Sequence, residues 1–264
     1  MKIGFIGGGN MATAMIGGII ANNICSAGDI IVSDAYAPAL EKAKEKLQVQ
    51  ISTDNKETVS GSDILFLSVK PQYYESVIKE IREEIRESQI IVTIAPGKTL
   101  EWLSDTFGKP VKIVRCMPNT PALVCEGITG ACHNELVTGE ELNGICKILS
   151  GFGKIEMVPE KQMDVVVSVS GSSPAYVFMF IEAMADAAVA DGMPRAQAYR
   201  FAAQAVYGSA KMVLETGKHP AELKDMVCSP GGTTIEAVRV LEKNGFRSAV
   251  IEAMKACTIK SKGL

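Results

Sequence analysis

Over its first 159 residues the chain alternates short β-branched runs with segments of helical spacing, and this alternation restricts its fold more than any other feature. Strands are predicted at Lys2–Gly7, Ile30–Ser33, Ile64–Val69, Ile90–Ala95 and Val111–Met117, with shorter candidates at Ile128–Ala131 and Ile155–Val158. Spacing of 3.6 residues predicts helices over Asn10–Asn22, Ala37–Lys46, Gln72–Arg86 and Thr138–Leu149. Strands that alternate with helices build a parallel sheet covered on both faces. After Pro159 the β-runs nearly vanish, and helical spacing fills Ala175–Ala190, Arg195–Glu215, Ala221–Met226, Ile235–Lys243 and Arg247–Ile259. Gly192, Gly217 and Gly245 stand where a helix end favours a left-handed residue. The expected fold class is therefore α/β, a doubly wound parallel sheet over residues 1–159 followed by an all-α domain over residues 160–264.

The bulk properties exclude several classes. Among 264 residues, 47% hydrophobic and 22% charged suit a globular protein. Twenty-seven basic against thirty acidic residues give a net charge of -3, with no basic stripe, so no nucleic-acid partner is expected. Seven cysteines (Cys25, Cys116, Cys125, Cys132, Cys146, Cys228 and Cys257) are scattered without a CxxC pair, which points to no disulfide framework, no zinc site and a cytoplasmic location. The chain enters KIGFIG at once, without the charged lead and apolar core of a secretory signal. Val165–Ile181 carries no charge, but its serines, Gly171 and Pro174 interrupt it, so burial between protein surfaces is expected rather than lipid. The segment from Ala175 is apolar on nearly every face, more than a domain of this size can hide, so a subunit interface is expected.

Gly7-Gly8-Gly9-Asn10-Met11-Ala12 reads as GxGxxA between a strand and a helix. In that context Gly7 permits the tight turn, Gly9 lets the backbone approach a pyrophosphate, and Ala12 allows close helix packing. The helix N-terminus adds free amides and the positive end of its dipole. The second strand ends in Ser33-Asp34, where ribose is read. A carboxylate there accepts from ribose hydroxyls and repels a 2'-phosphate, whereas Ser33 serves either NADH or NADPH, and Asp34 could equally be a loop starter.

A second small-residue motif, Ser229-Pro230-Gly231-Gly232-Thr233-Thr234, precedes another helical run. Amides at a helix start form an anion site without a cation, and the hydroxyls are left for a neutral or weakly basic atom. The competing possibility is an ordinary N-cap. Ser170-Gly171-Ser172-Ser173-Pro174 is not GxSxG and suits helix capping and packing. Lys70, before Pro71 at the end of the third predicted strand, stands where ligands of such sheets bind. Asn119 suits a turn, Cys228 lacks a neighbouring His, and His133 and His219 lack metal spacing.

Taken together, GFIGGGNMATAMIGG, NKETV at 55–59, VKP at 69–71, RCMPNTPALV at 115–124, SGSSPAYVFMFIEAMADAAV at 170–189 and KDMVCSPGGTTIEAV at 224–238 resemble the pyrroline-5-carboxylate reductase family through essentially the whole chain. The resemblance implies a Rossmann-type dinucleotide-binding domain over 1–159 and a helical substrate-binding and dimerisation domain over 160–264. It implies the last step of proline biosynthesis, hydride transfer from NADPH or NADH to the C=N carbon of 1-pyrroline-5-carboxylate to give L-proline. It further implies a homodimer through the C-terminal helices, with a decamer of dimers as the larger form. By position, Gly7 to Ala12 would hold the pyrophosphate, Ser33 and Asn55 the adenosine side, and Val69, Lys70, Pro71, Ala95, Pro96 and Gly97 the nicotinamide half. Ser229, Gly232 and Thr233 would take the substrate carboxylate, Thr234 would face the ring nitrogen, and Glu160 would be a substrate-proximal acid. Asp34 departs from many relatives and puts an NADP preference in doubt. Two other functions compete. One is a 3-hydroxyacid-dehydrogenase-like oxidoreductase, which needs a helix-borne lysine that Val165–Asp191 lacks; the other is a non-catalytic dinucleotide-sensing module.

Overall fold

The computed structural model describes residues 1–263, which form two compact units: Met1–Ser172 with the chain from Cys257 onward, and Ser173–Ala256. The expected division at residue 159 and the structural one differ by the short helical segment that follows Pro159 and by the chain's last turns.

The first unit is an eight-stranded sheet in the order β3-β2-β1-β4-β5-β6-β7-β8. Its strands are β1 (Ile3–Ile6), β2 (Ile30–Ser33), β3 (Gln50–Ser52), β4 (Ile64–Leu67), β5 (Ile90–Thr93), β6 (Lys112–Met117), β7 (Gly127–His133) and β8 (Gly153–Met157). They alternate with helices α1 (Asn10–Ala21), α2 (Ala37–Leu47), α3 (Asn55–Ser60), α4 (Tyr74–Ile81), α5 (Leu100–Phe107) and α6 (Gly139–Leu149), and α7 (Met163–Val166) follows the last strand. β1 and β4 are buried at every position, which is why they read as unbroken apolar runs. Their alternate residues serve two cores. Ile3, Phe5, Ile64 and Phe66 join Met15, Ile16 and Ile19 of α1 on one face, where the Phe5 and Phe66 rings stack 4.5 Å apart. Ile6, Leu65 and Leu67 join Tyr74, Ile78 and Phe107 on the other.

Every pairing is parallel except β6 with β7. The parallel sheet expected from the sequence is present, and its one antiparallel pairing has a geometric reason. Only residues 118–126 separate the two strands, partly as a 3₁₀ turn over Thr120–Val124, whereas a parallel crossover needs about a dozen residues or more. β3, α3 and α5 were not predicted from apolar spacing. The two helices are marked by caps instead: Asp54 accepts from the Lys56 amide and Thr99 from the Trp102 amide. The predicted helix over Gln72–Arg86 is a 3₁₀ turn, Pro71–Tyr73, followed by the shorter α4.

α7 continues into one π-helical turn over Val167–Gly171 before α8 (Ser173–Ala190) begins. The serines expected to interrupt this stretch bond backward, Ser168 Oγ to Val165 O and Ser170 Oγ to Val166 O. Pro174 falls in the first turn of α8, where its missing N–H costs no hydrogen bond. By length and composition Glu160–Ala190 is thus long and apolar enough to cross a membrane.

The second unit consists of α8 (Ser173–Ala190), α9 (Arg195–Thr216), α10 (Pro220–Val227), α11 (Thr233–Lys243) and the first part of α12 (Phe246–Lys262). Gly192, Gly217 and Gly245 end its helices with φ of 94°, 63° and 71°. Of the eighteen residues in α8 only Pro174 and Ala185 are buried, and Phe178, Met179, Phe201 and Leu214 are exposed on α8 and α9.

Tyr74 ties two loops together. Its buried hydroxyl donates to Leu67 O at the end of β4 and accepts from Thr93 Oγ1 (3.1 Å) and the Ile94 amide (3.3 Å) at the end of β5. Burial pushes its pKa up to about 12. Removing this hydroxyl strands three polar groups, so Tyr74→Phe is expected to destabilise the protein by about 1–3 kcal/mol in urea unfolding. A loss below about 0.5 kcal/mol would show that water replaces the hydroxyl there.

Candidate active site

The sheet's strand order reverses direction at β1, between β2 and β4, and the crevice beyond their carboxyl ends is where such sheets bind ligands. The chain enters it through Gly7. The Gly7 amide donates to Ser33 O (2.7 Å), and Ser68 Oγ donates to Gly7 O (2.8 Å), so the turn is held between the ends of β2 and β4. Its φ of +103° disfavours any side chain, and an added Cβ would meet the Ser68 carbonyl carbon at 2.7 Å. At Gly9 a Cβ would meet nothing within 4 Å, and Gly9 caps α1 with no side-chain bond. The first-turn amides of α1, from Asn10, Met11 and Ala12, have no intrahelical acceptor and face the positive end of the helix dipole. Ala12 is fully buried against the sheet.

Beside this turn lies a cavity of about 630 Å³, within the range of small-molecule sites. Of the residues singled out from the sequence, Gly7, Gly9, Asp34, Asn55, Val69 and Lys70 line it. Gly8 and Ser33 stand behind the lining. The Gly8 amide donates to Asp34 Oδ2 (2.7 Å), and the buried Ser33 hydroxyl donates to Asn55 Oδ1 (2.8 Å). Asp34 Oδ1 also accepts from the Tyr36 amide (2.8 Å), so this carboxylate braces the glycine turn as well as facing the cavity. Pro71 begins the turn after Lys70, and Ala95, Pro96 and Gly97 follow β5; none of these four lies on the lining. Sequence reasoning missed Tyr73, Ser76, Val77 and Glu80, which also line the cavity. Their spacing of three, four and seven residues from Tyr73 marks one face of a helix and could have found them.

Glu160 is engaged elsewhere in the same unit. Its Oε1 accepts from the Leu100 amide (2.7 Å) at the start of α5 and from Arg115 Nη1 (2.9 Å), while Arg115 Nε is buried with no partner among the described residues. Asn119 is a buried bridge, accepting from the Ile128 amide and donating to Ser170 O. Burial raises the Cys116 thiol and lifts Cys132 to about 11, so neither supplies a thiolate near neutral pH. Among the described residues no group of three or more His, Cys, Asp or Glu could hold a metal ion.

In the second unit, the Ser229–Thr234 segment forms a turn closed by the Gly232 amide on Ser229 O (3.1 Å), with Gly231 at φ 68°. The cap of α11 is Gly232, not a serine or threonine, so no side-chain oxygen occupies the first amides of that helix. A Cβ on Gly232 would collide with Ser229 Oγ. Thr233 and Thr234 open the helix, Thr234 half-buried. His219 caps α10, its Nδ1 accepting from the Ala221 amide (3.2 Å), as its place before Pro220 suggests.

Comparison with known proteins gives matches in both parts of the chain. Residues 160–264 match the family model described as pyrroline-5-carboxylate reductase dimerisation, and residues 2–97 match that of NADP oxidoreductase, coenzyme F420-dependent. The pyrroline-5-carboxylate reductase of Escherichia coli (strain K12) is 54% identical over 266 residues, spanning 100% of this chain and 98% of that one. The solved pyrroline-5-carboxylate reductase of Coxiella burnetii superposes with a TM-score of 0.90 at 36% identity, covering 99% of this chain and 97% of that one. The Plasmodium falciparum pyrroline carboxylate reductase, solved with NADP bound, does so with a TM-score of 0.91 at 33% identity, covering 100% and 97%. With a glycine turn that tolerates no Cβ, a helix start left open at Gly232 and near-complete coverage by these relatives, the chain belongs to the pyrroline-5-carboxylate reductase family of NAD(P)H-dependent oxidoreductases.

Proposed function

We propose that the protein performs the reaction of its family, reduction of 1-pyrroline-5-carboxylate to L-proline, with its work divided between the glycine turn and the Ser229–Thr234 turn. The observation that carries this division is the start of α11. A helix of eleven residues whose cap is glycine presents unoccupied amides to an anion, and a half-buried hydroxyl stands next to them. That pairing suits a ring bearing one carboxylate and one imine nitrogen.

The glycine turn and the first amides of α1 hold the pyrophosphate, and the side chains around Asp34 and Asn55 hold the adenosine half. Val69 and Lys70, with the nearby Pro71 and the Ala95–Gly97 loop, support the nicotinamide half. When bound, the reduced nicotinamide supplies the hydride. Ser229, Gly232 and Thr233 orient the substrate carboxylate through the α11 amides, and Thr234 Oγ1 hydrogen-bonds the ring nitrogen, which leaves the reaction carrying one new proton. The carbon that receives the hydride is already electrophilic once that nitrogen is protonated. The chain must therefore chiefly orient two reactants, an effect worth up to about 7–11 kcal/mol in well-aligned systems. Lys70, the basic side chain on the cavity lining, favours anionic ligands there. Glu160, bonded to Arg115 and the Leu100 amide, is better suited to fixing the start of α5, next to the Ala95–Gly97 loop, than to touching substrate.

The exposed apolar faces of α8 and α9, within the dimerisation match, support a homodimer covered by a second copy rather than by lipid. A decamer of dimers extends the same proposal and is read by sedimentation. Seven unpaired cysteines suit a reducing cytoplasm.

Purified protein is expected to oxidise NADH or NADPH only when 1-pyrroline-5-carboxylate is present, followed at the nicotinamide absorbance; no imine-dependent turnover with either cofactor defeats the proposal. Thr234→Ala is expected to lower kcat/KM for the imine by roughly 10²-fold while cofactor affinity holds, the cost of one positioned hydrogen bond or proton donor. An unaltered kcat/KM would assign the proton to water.

A further inference from the structure

The glycine-turn cavity, on the cofactor reading given above, carries an uneven charge. Its acidic lining side chains are Asp34 and Glu80, and Lys70 is the one basic side chain among the described residues that line it. Asp34 follows the end of the second strand, where ribose is read in such folds, and Glu80 is tied to that end through Asn55 and Ser33. Asp34 follows β2 directly and is fixed by two backbone amides, Gly8 at 2.7 Å and Tyr36 at 2.8 Å, each oxygen keeping a second lone pair for a hydroxyl donor. Glu80, in the last turn of α4, is fixed by the Asn55 side-chain amide at 3.0 Å. Asn55 in turn accepts from Ser33, so these two neutral side chains are already bonded to each other. Lys56, adjacent in sequence to Asn55, pairs with Glu84 at 3.7 Å. Lys70 stands at the start of the turn that leaves β4.

We infer that Asp34 and Glu80 together set the cofactor choice of this enzyme in favour of NADH. Ribose hydroxyls donate to the free lone pairs of Asp34, which a carboxylate welcomes. A 2'-phosphate carries up to two negative charges at neutral pH and would meet two held carboxylates against a single lining cation, Lys70. Glu80 acts through charge and through its bond to Asn55; it is a specificity residue and takes no part in the chemistry.

The test is steady-state kinetics with each cofactor, together with fluorescence titration of NADH and NADPH in the absence of the imine. The wild-type protein is expected to favour NADH by about tenfold or more at low ionic strength, with the ratio falling as salt rises. Glu80→Gln keeps an acceptor for Asn55 and removes the charge, and is expected to narrow the ratio about threefold by improving NADPH. Asp34→Ala should narrow it further, and because it also releases the Gly8 amide, Glu80→Gln is the variant that isolates charge. Tighter binding of NADH without imine turnover would defeat the reaction proposed above and leave this inference standing. Equal or tighter binding of NADPH, or a ratio that neither Glu80→Gln nor salt moves, overturns the inference and leaves the reaction intact. Binding of neither cofactor overturns both.

Discussion

The contact on which the first unit turns is the one between the Gly7 backbone and the Ser68 backbone. Two strands that leave the sheet side by side can diverge around a ligand only if one of them passes the other with no side chain between. Gly7 does this at a φ open mainly to glycine, and the bonds from Ser33 O and Ser68 Oγ hold it there from both sides. Everything on the cavity rim is measured from that point: Gly9 and the start of α1 on one side, Asp34 on the second, Val69 and Lys70 on the third.

Loops of the first unit, some of them on this rim, are tied together by polar hubs, each buried or fixed by backbone. Asp34 spans Gly8 and Tyr36, Tyr74 joins the ends of β4 and β5, and Glu160 joins β6 to the start of α5. None of these bonds is strong alone, but each leaves unsatisfied groups if removed, and such losses are what order a loop against its neighbours. The unpartnered Arg115 Nε shows that the third hub is incompletely satisfied among the described residues.

Much of this was legible beforehand, and the reasons differ by element. β1, β2, β4 and β5 were visible because strands buried on both faces leave apolar runs, and β6 because its β-branched Ile113 and Val114 stand out despite Lys112 and Arg115. GxGxxA was visible because backbone clearance demands specific small residues. β3, α3 and α5 escaped because they are short and held by caps and sheet-edge pairing. The reversal at β7 depends on loop length, a property that apolar spacing does not display. In the site, Glu80 shows in the sequence only as one face of α4, with nothing to say that this face looks at the cavity, and the partners of Glu160 lie sixty and forty-five residues away in sequence.

The bareness of α8 links folding to association. An eighteen-residue helix with two buried residues gains little by forming on its own, because most helical stability comes from packing an apolar face. In the homodimer proposed above, the cover that a second copy lends to α8 would add to its stability. Resistance to heat would then rise with the amount of protein present, and dilution would act on this chain as a denaturant does on a monomer.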